Sequence, residues 1–140
     1  PTFAPEHFAR VRQVDTMKRD QFVKGITQIA QEGAIQIFQE FNTGMEEIIC
    51  GVVGMLQFDV LKFRLKSEYN VEIILETLPY EHIRWIVNRD IDPMKITGTT
   101  DMKRIKDLKG NPLLLFINPW SVGMVLDRNE GLELENFSRN

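Results

Sequence analysis

Lys62, Arg64 and Lys66 crowd three cations into one short stretch, and the chemistry such residues suit is contact with phosphate. Lys18, Arg19 and Lys24 supply a second basic group upstream. An ammonium or guanidinium meets a phosphate through charge and N–H donors, with no covalent bond made or broken. A bland reading stands beside this one. Asp59 precedes Lys62 by three positions and Glu68 follows Arg64 by four, spacings that give weak intrahelical pairs on a solvated face.

The other reactive residue types do not assemble into a site. Cys50 is the single cysteine, so the chain forms no internal disulfide and no cysteine metal site; it reads as buried filler in a strand. His7 and His82 are far apart, each without a second ligand at metal spacing. Glu46 and Glu47 are neighbours on a strand pattern and point to opposite faces, which rules out a paired acid and base. No G-x-x-x-x-G-K-[ST], G-x-S-x-G or H-E-x-x-H run occurs. Trp85 and Trp120 read as core anchors. No catalytic, cofactor-binding or metal residue is expected, and the chain alone is not expected to be an enzyme.

Composition narrows the partners. Lys and Arg total 17 against 20 Asp and Glu, a net charge of −3, which excludes broad binding to free DNA and leaves a local basic patch. No apolar run approaches the ~20 residues of a membrane span. The start Pro-Thr-Phe-Ala-Pro-Glu lacks the basic and apolar regions of a signal peptide, so no membrane contact and a cytoplasmic location are expected. A first residue other than Met points to an excised piece of a longer protein.

Positions 8–14 read as a strand. Asp15 or Thr16 can cap the helix that follows, because a side-chain oxygen there accepts orphan N–H groups of the first turn. Phe22, Val23, Ile26, Ile29 and Ala30 share one side of that helix, and Gly33 closes it. A strand at 34–41 puts Ile35, Ile37 and Phe41 on one face, Asn42-Thr43-Gly44 turns the chain, and 46–53 returns. A helix at 55–69 follows Gly54, Asn70 ends it, and 71–76 alternates Val71, Ile73 and Leu75 inward. The order β-α-β-β-α-β is the ferredoxin-like split βαβ plan: an α+β fold with two helices on one face of a four-stranded antiparallel sheet. The returning strand, central in that plan, has no aromatic residue, which counts against an RNA-recognition sheet.

Thr77-Leu78-Pro79 marks a boundary between a ferredoxin-like subdomain at 1–79 and a second α/β subdomain at 80–140 packed on it. The second part reads as a smaller βαβαβ-type portion. Its elements are a strand at 83–87, a loop at 90–100, a charged helix capped by Thr100-Asp101 and running to Leu108, a strand at 113–117, a helix at 118–128 and an edge strand at 132–137. Lys109-Gly110-Asn111-Pro112 would stop the charged helix.

The helix at 55–69 is apolar on two opposite sides. Leu56, Val60 and Phe63 form one group; Phe58, Leu61, Leu65 and Tyr69 form the other and are the candidate interdomain face. A surface helix needs only one apolar stripe, so both sides should be covered. Cover for the second side can come from the 83–137 portion, from another domain or from a partner, and cover within the chain is the simplest expectation.

These same segments carry a family resemblance. The runs Phe3-Ala4-Pro5-Glu6, Gln31-Glu32-Gly33-Ala34-Ile35-Gln36-Ile37-Phe38, Gly54-Met55-Leu56-Gln57-Phe58-Asp59-Val60 and Arg64-Leu65-Lys66-Ser67-Glu68-Tyr69-Asn70-Val71-Glu72 closely resemble the C-terminal domain of bacterial peptide chain release factor 3. The third domain of elongation factor G is a looser relative. The likeness is strong over 3–76, weaker beyond, and 90–111 departs from the pattern. The resemblance implies a ribosome-docking and interdomain-coupling module of a GTPase that promotes dissociation of codon-reading release factors in translation termination. It implies that GTP and Mg bind in a missing G domain and that this chain holds no cofactor. The implied partners are the ribosome, the codon-reading release factors indirectly, and the protein's own upstream G domain and β-barrel domain. An elongation-factor-G-like or ribosome-protection GTPase and a free-standing ferredoxin-like small-molecule sensor are the alternatives.

Overall fold

The computed structural model describes residues 4–41, 43–45 and 47–137. Strand β1 (His7–Gln13) runs antiparallel to β3 (Glu47–Val52) on one side and β4 (Ile73–Leu78) on the other, and β2 (Gln36–Glu40) lies beyond β3. Helices α1 (Arg19–Gln31) and α2 (Leu56–Tyr69) cover one face of these four strands. This is the split βαβ arrangement that the sequence predicts. The expected turn residue Asn42, the strand start Glu46 and motif residue Phe3 lie outside the described residues. Asp15 caps a 3-10 turn at Thr16–Lys18 that leads into α1, accepting the Met17 N–H at 3.0 Å. Asn70 ends α2 with φ 56°, its N–H reaching Lys66 O while the Val71 N–H reaches Leu65 O.

The later strands continue the same sheet. Among the described residues β6 (Lys103–Asp107), β7 (Pro112–Phe116), β5 (His82–Ile86) and β8 (Leu134–Glu135) extend it to the order β4-β1-β3-β2-β6-β7-β5-β8, antiparallel throughout. Only residues 79, 80 and 81 join β4 to β5, although β5 stands six strand positions away. Four Cα steps reach about 15 Å, whereas six strand spacings in a flat sheet span about 29 Å. The sheet must therefore roll up. Phe8, Phe38 and Ile49 from its first half meet Ile83, Trp85, Ile105, Leu113 and Leu115 from its second half inside the roll. Outside it, α1 and α2 cover one apolar cluster, and α3 (Pro119–Arg128) covers another built on Leu114, Phe116, Val122 and Val125. Strands β2 and β3 are thus buried on both faces. Cys50, on β3, is deeply buried, and burial pushes its thiol up to about 12, so it stays protonated near neutral pH.

The structure departs from the sequence expectation at three places: the charged segment before Leu108, Trp120 and the faces of α2. The charged segment expected as a helix ending at Leu108 is strand β6, hydrogen-bonded to β2 on one side and β7 on the other. Its cations find cross-strand or loop partners in place of helical ones. Lys103 pairs with Glu40, Arg104 donates to the Pro93 and Ile96 carbonyls, and Lys106 lies 5.7 Å from the centre of the Phe41 ring. The supposed helix stop is a hairpin turn, in which Gly110 takes φ 88° and Asp107 Oδ1 accepts the Lys109 and Asn111 N–H groups. Trp120, expected in the core, is exposed near the start of α3.

Phe58, Leu61, Leu65 and Tyr69, the expected interdomain face, pack toward the sheet, and the side left open is Leu56, Val60 and Phe63. The inward stripe runs from the first turn of the helix to its last residue, so seating it removes more apolar area from water than seating the shorter stripe. Gly25 of α1 also selects it, because a Cβ at Gly25 would come within 2.8 Å of both the Leu65 side chain and the Tyr69 ring. The 80–140 stretch does not cover the open side; it extends the sheet and lines the roll. Among the described residues no helix is long and apolar enough to cross a membrane.

Candidate docking surface

The end of α2 brings together Lys66 and Lys18, with Lys62 one helical turn before Lys66. The Val14 N–H donates to Glu72 O at 3.0 Å, which ties the turn carrying Lys18 to the residues that follow α2. Lys66 Nζ lies 2.7 Å from the Glu72 carboxylate, and Lys18 Nζ donates to Asn70 O at 3.0 Å. The Glu72 carboxyl is held below the ordinary carboxylate range by the Lys66 hydrogen bond, and then by the charges of Lys66, Lys18 and Lys62. Three ammonium groups thus act on one carboxylate, and the surplus charge is positive. The partial negative charge at a helix C-terminus favours their gathering there.

Arg64 does not belong to this group. Its Nε donates to Glu68 at 2.7 Å, its Nη2 donates to Glu68 at 3.0 Å and to Glu32 at 3.2 Å, and its Nη1 also meets Glu32. Glu32 follows the last turn of α1, so Arg64 pins α1 to α2. Hydrogen bonds to Arg64 hold both carboxyls below their usual range. Arg19 and Lys24 lie exposed on α1 and are not among the groups acting on Glu72. Lys18, Lys62 and Lys66 are therefore the basic side chains that the fold brings together.

Beside them runs the open apolar side of α2. Leu56 and Phe63 are 70% and 71% exposed, and Val60 between them is 38% exposed. Val53 and Met55, just before the helix, extend this surface. Sequence periodicity finds both stripes of α2 but does not flag Val53 and Met55, whose loop position carries no period.

A second charged constellation, around Arg10, is not apparent from the sequence. Arg10, with 16% of its side chain exposed, lies 3.5 Å from Glu40, 3.0 Å from Glu47 and 3.3 Å from Glu76. The Glu47 contact is an ion pair from Nε whose angle does not make a hydrogen bond. Arg12 reaches Glu47 and Glu76 from the same strand face, and Lys103 holds Glu40. Burial alone would raise the Glu40 carboxyl, but Lys103 and Arg10 outweigh it and hold it low. Three cations and three carboxylates balance here, so the cluster closes the charged end of the inner face and offers no open valence. Its signal in the sequence is the i, i+2 repeat of Arg10 and Arg12 facing glutamates on neighbouring strands, legible only once the register is known.

Among the described residues no group of three or more His, Cys, Asp or Glu side chains is arranged to hold a metal ion. The arrangement at α2 suits docking: a cationic end for anionic partners and an apolar side for a protein.

The family model described as "Class II release factor RF3, C-terminal domain" matches residues 1–126. A peptide chain release factor 3 of Symbiobacterium thermophilum is 45% identical over 94% of this chain and 25% of its own length. Those of Gloeobacter violaceus and Lactococcus lactis subsp. cremoris are each 40% identical over 99% of this chain and 26% of their own. The chain spans about a quarter of the length of these curated relatives.

Proposed function

The chain belongs to the class II release factor RF3 C-terminal domain family, and on that premise we propose that it docks a release-factor-3-like GTPase on the ribosome and couples its preceding domains to that contact. In this reading the parent acts in the cytoplasm in translation termination, promoting dissociation of codon-reading release factors. GTP and Mg bind in a preceding G domain, followed by a β-barrel domain. The present chain carries no phosphate-binding loop of the G-x-x-x-x-G-K-[ST] type. By itself it should therefore turn over no GTP. Measurable phosphate release by the purified chain, above a no-protein blank, would reject that part of the proposal. The family match favours this reading over the elongation-factor-G-like and sensor alternatives.

The observation that carries the docking role is the placement of Lys66 on the Glu72 carboxylate and of Lys18 on the Asn70 carbonyl at the end of α2, with Lys62 one helical turn before Lys66. Ribosomal RNA presents phosphate, and each ammonium that neutralises one releases a counterion. Charge reversal of all three to Glu in the full-length protein should weaken ribosome pelleting. It should also flatten the plot of log affinity against log salt by about two to three units, roughly one per lost phosphate contact. Arg64→Gln, which removes a cation already occupied by glutamates, should leave that salt slope unchanged. Equal slopes for the triple variant and the unaltered protein would sink the basic-cluster reading.

A further inference from the structure

We infer that Glu72 is a built-in competitor for the phosphate that the lysines at the end of α2 take: its carboxylate occupies Lys66 until RNA displaces it. The backbone places it there. Asn70 closes α2 in the left-handed conformation, the Val71 N–H donates to Leu65 O at 3.0 Å, and the Val14 N–H donates to Glu72 O at 3.0 Å. Glu72 is thus fixed just past the helix end, and its Oε1 lies 2.7 Å from Lys66 Nζ. Both side chains remain more than half exposed, Glu72 at 59% and Lys66 at 55%, so the contact can open by side-chain rotation alone.

Local folding does not call for an acid at this position. A carboxylate past the last turn of a helix faces the partial negative charge of the helix C-terminus, and an ion pair this exposed contributes little to stability. Its effect falls on the lysines. Lys66 donates a hydrogen bond to it, and the charges of Lys18 and Lys62 act on it too. Being part of the chain, it competes with phosphate intramolecularly. A single phosphate bound at Lys66 gains little over the carboxylate it replaces. A strand of RNA gains more, because neighbouring phosphates meet Lys18 and Lys62 in the same encounter. Glu72 therefore lowers the affinity of the site for any anion and favours a polyanion over an isolated one.

The inference rests on the ribosomal reading of these lysines. It is tested on the full-length protein by ribosome pelleting at low salt. Glu72→Gln keeps the shape of the side chain and the backbone hydrogen bond from Val14, and it should tighten binding about two- to fivefold, the range for one exposed ion pair. The gain should fade as salt rises, since exposed charges are screened. In a Lys66→Met background the same substitution should give a smaller gain, because the contact it relieves is already gone. Glu130→Gln, at an exposed position just past α3, removes the same charge elsewhere and should also give less. Unchanged or weaker binding by Glu72→Gln would overturn the inference. So would an equal gain from Glu130→Gln or in the Lys66→Met background, which would assign the effect to net charge. If Glu72→Gln has no effect while reversal of the three lysines still weakens pelleting, the ribosomal reading stands without this inference; if that reversal has no effect either, both fall.

Discussion

Gly25→Val should destabilise the chain by about 2–3 kcal/mol in chemical denaturation, the upper part of the range for overpacking a core. Gly25 is buried in α1 where α2 crosses it, and an added Cβ would stand 2.8 Å from Leu65 and from two atoms of the Tyr69 ring. Leu65 is fully buried and a ring cannot rotate a few atoms aside, so α2 itself has to move. Gly25→Ala tests the balance more finely. Helix propensity favours Ala over Gly by about 1 kcal/mol, but the clash works against it, and the variant should still lose stability. Gly123 supplies the contrast, as an exposed glycine in α3 whose added Cβ would meet nothing within 4 Å. Gly123→Ala should gain up to about 1 kcal/mol from propensity and reduced unfolded-state freedom. If both alanine variants shift stability in the same direction, the packing role assigned to Gly25 is wrong.

The first half of the fold was legible because its periods differ sharply from element to element. Phe22, Ile26 and Ile29 repeat at helical steps, Val71 and Ile73 at strand steps, and Asn70 and Gly33 stand where left-handed caps are needed. Strand β6 was not legible for the opposite reason. It has one fully buried residue, Ile105, among charged neighbours, and a lone apolar position has no period. What makes it a strand is pairing on both sides with β2 and β7, an interaction with residues distant in sequence. The rolling of the sheet was equally non-local; it follows from the short β4–β5 link combined with the strand order.

The candidate surface divides along the same line. That α2 has two apolar sides could be read from the chain, but which one faces the sheet depends on the crossing with α1 at Gly25. Lys62, Arg64 and Lys66 look equivalent as residues in sequence. They separate once Glu32 is brought from the end of α1 to Arg64, and Lys18 from the turn after β1 to the far end of α2. An intrahelical spacing rule finds the Arg64–Glu68 pair but cannot see Glu32, whose carboxylate helps complete the guanidinium's partners.

Arg10→Met should cost about 2 kcal/mol at pH 7. Removing one partner of a fully buried ion pair costs about 3–5 kcal/mol, and solvent at Glu47 and Glu76, together with the remaining Arg12 and Lys103, lowers the figure here. Methionine fills much of the volume of the arginine stem, so the loss is chiefly of charge. The pH dependence separates the two contributions. Arg10 and Lys103 hold the Glu40 carboxyl below its ordinary range against the opposing effect of burial. A carboxyl depressed in the folded state contributes stability that is present above its unfolded pKa, about 4.3, and is lost as pH falls through the lower folded value. Without Arg10 the depression is smaller, so the variant has less to lose on acidification. The difference in unfolding free energy between the two proteins should therefore be greatest near pH 7 and shrink steadily below about pH 4.3, as the Glu40 carboxylate takes up its proton. A difference that stays constant from pH 7 to pH 3 would mean that Arg10 matters through packing of its stem, and that the charge cluster inside the rolled sheet contributes little.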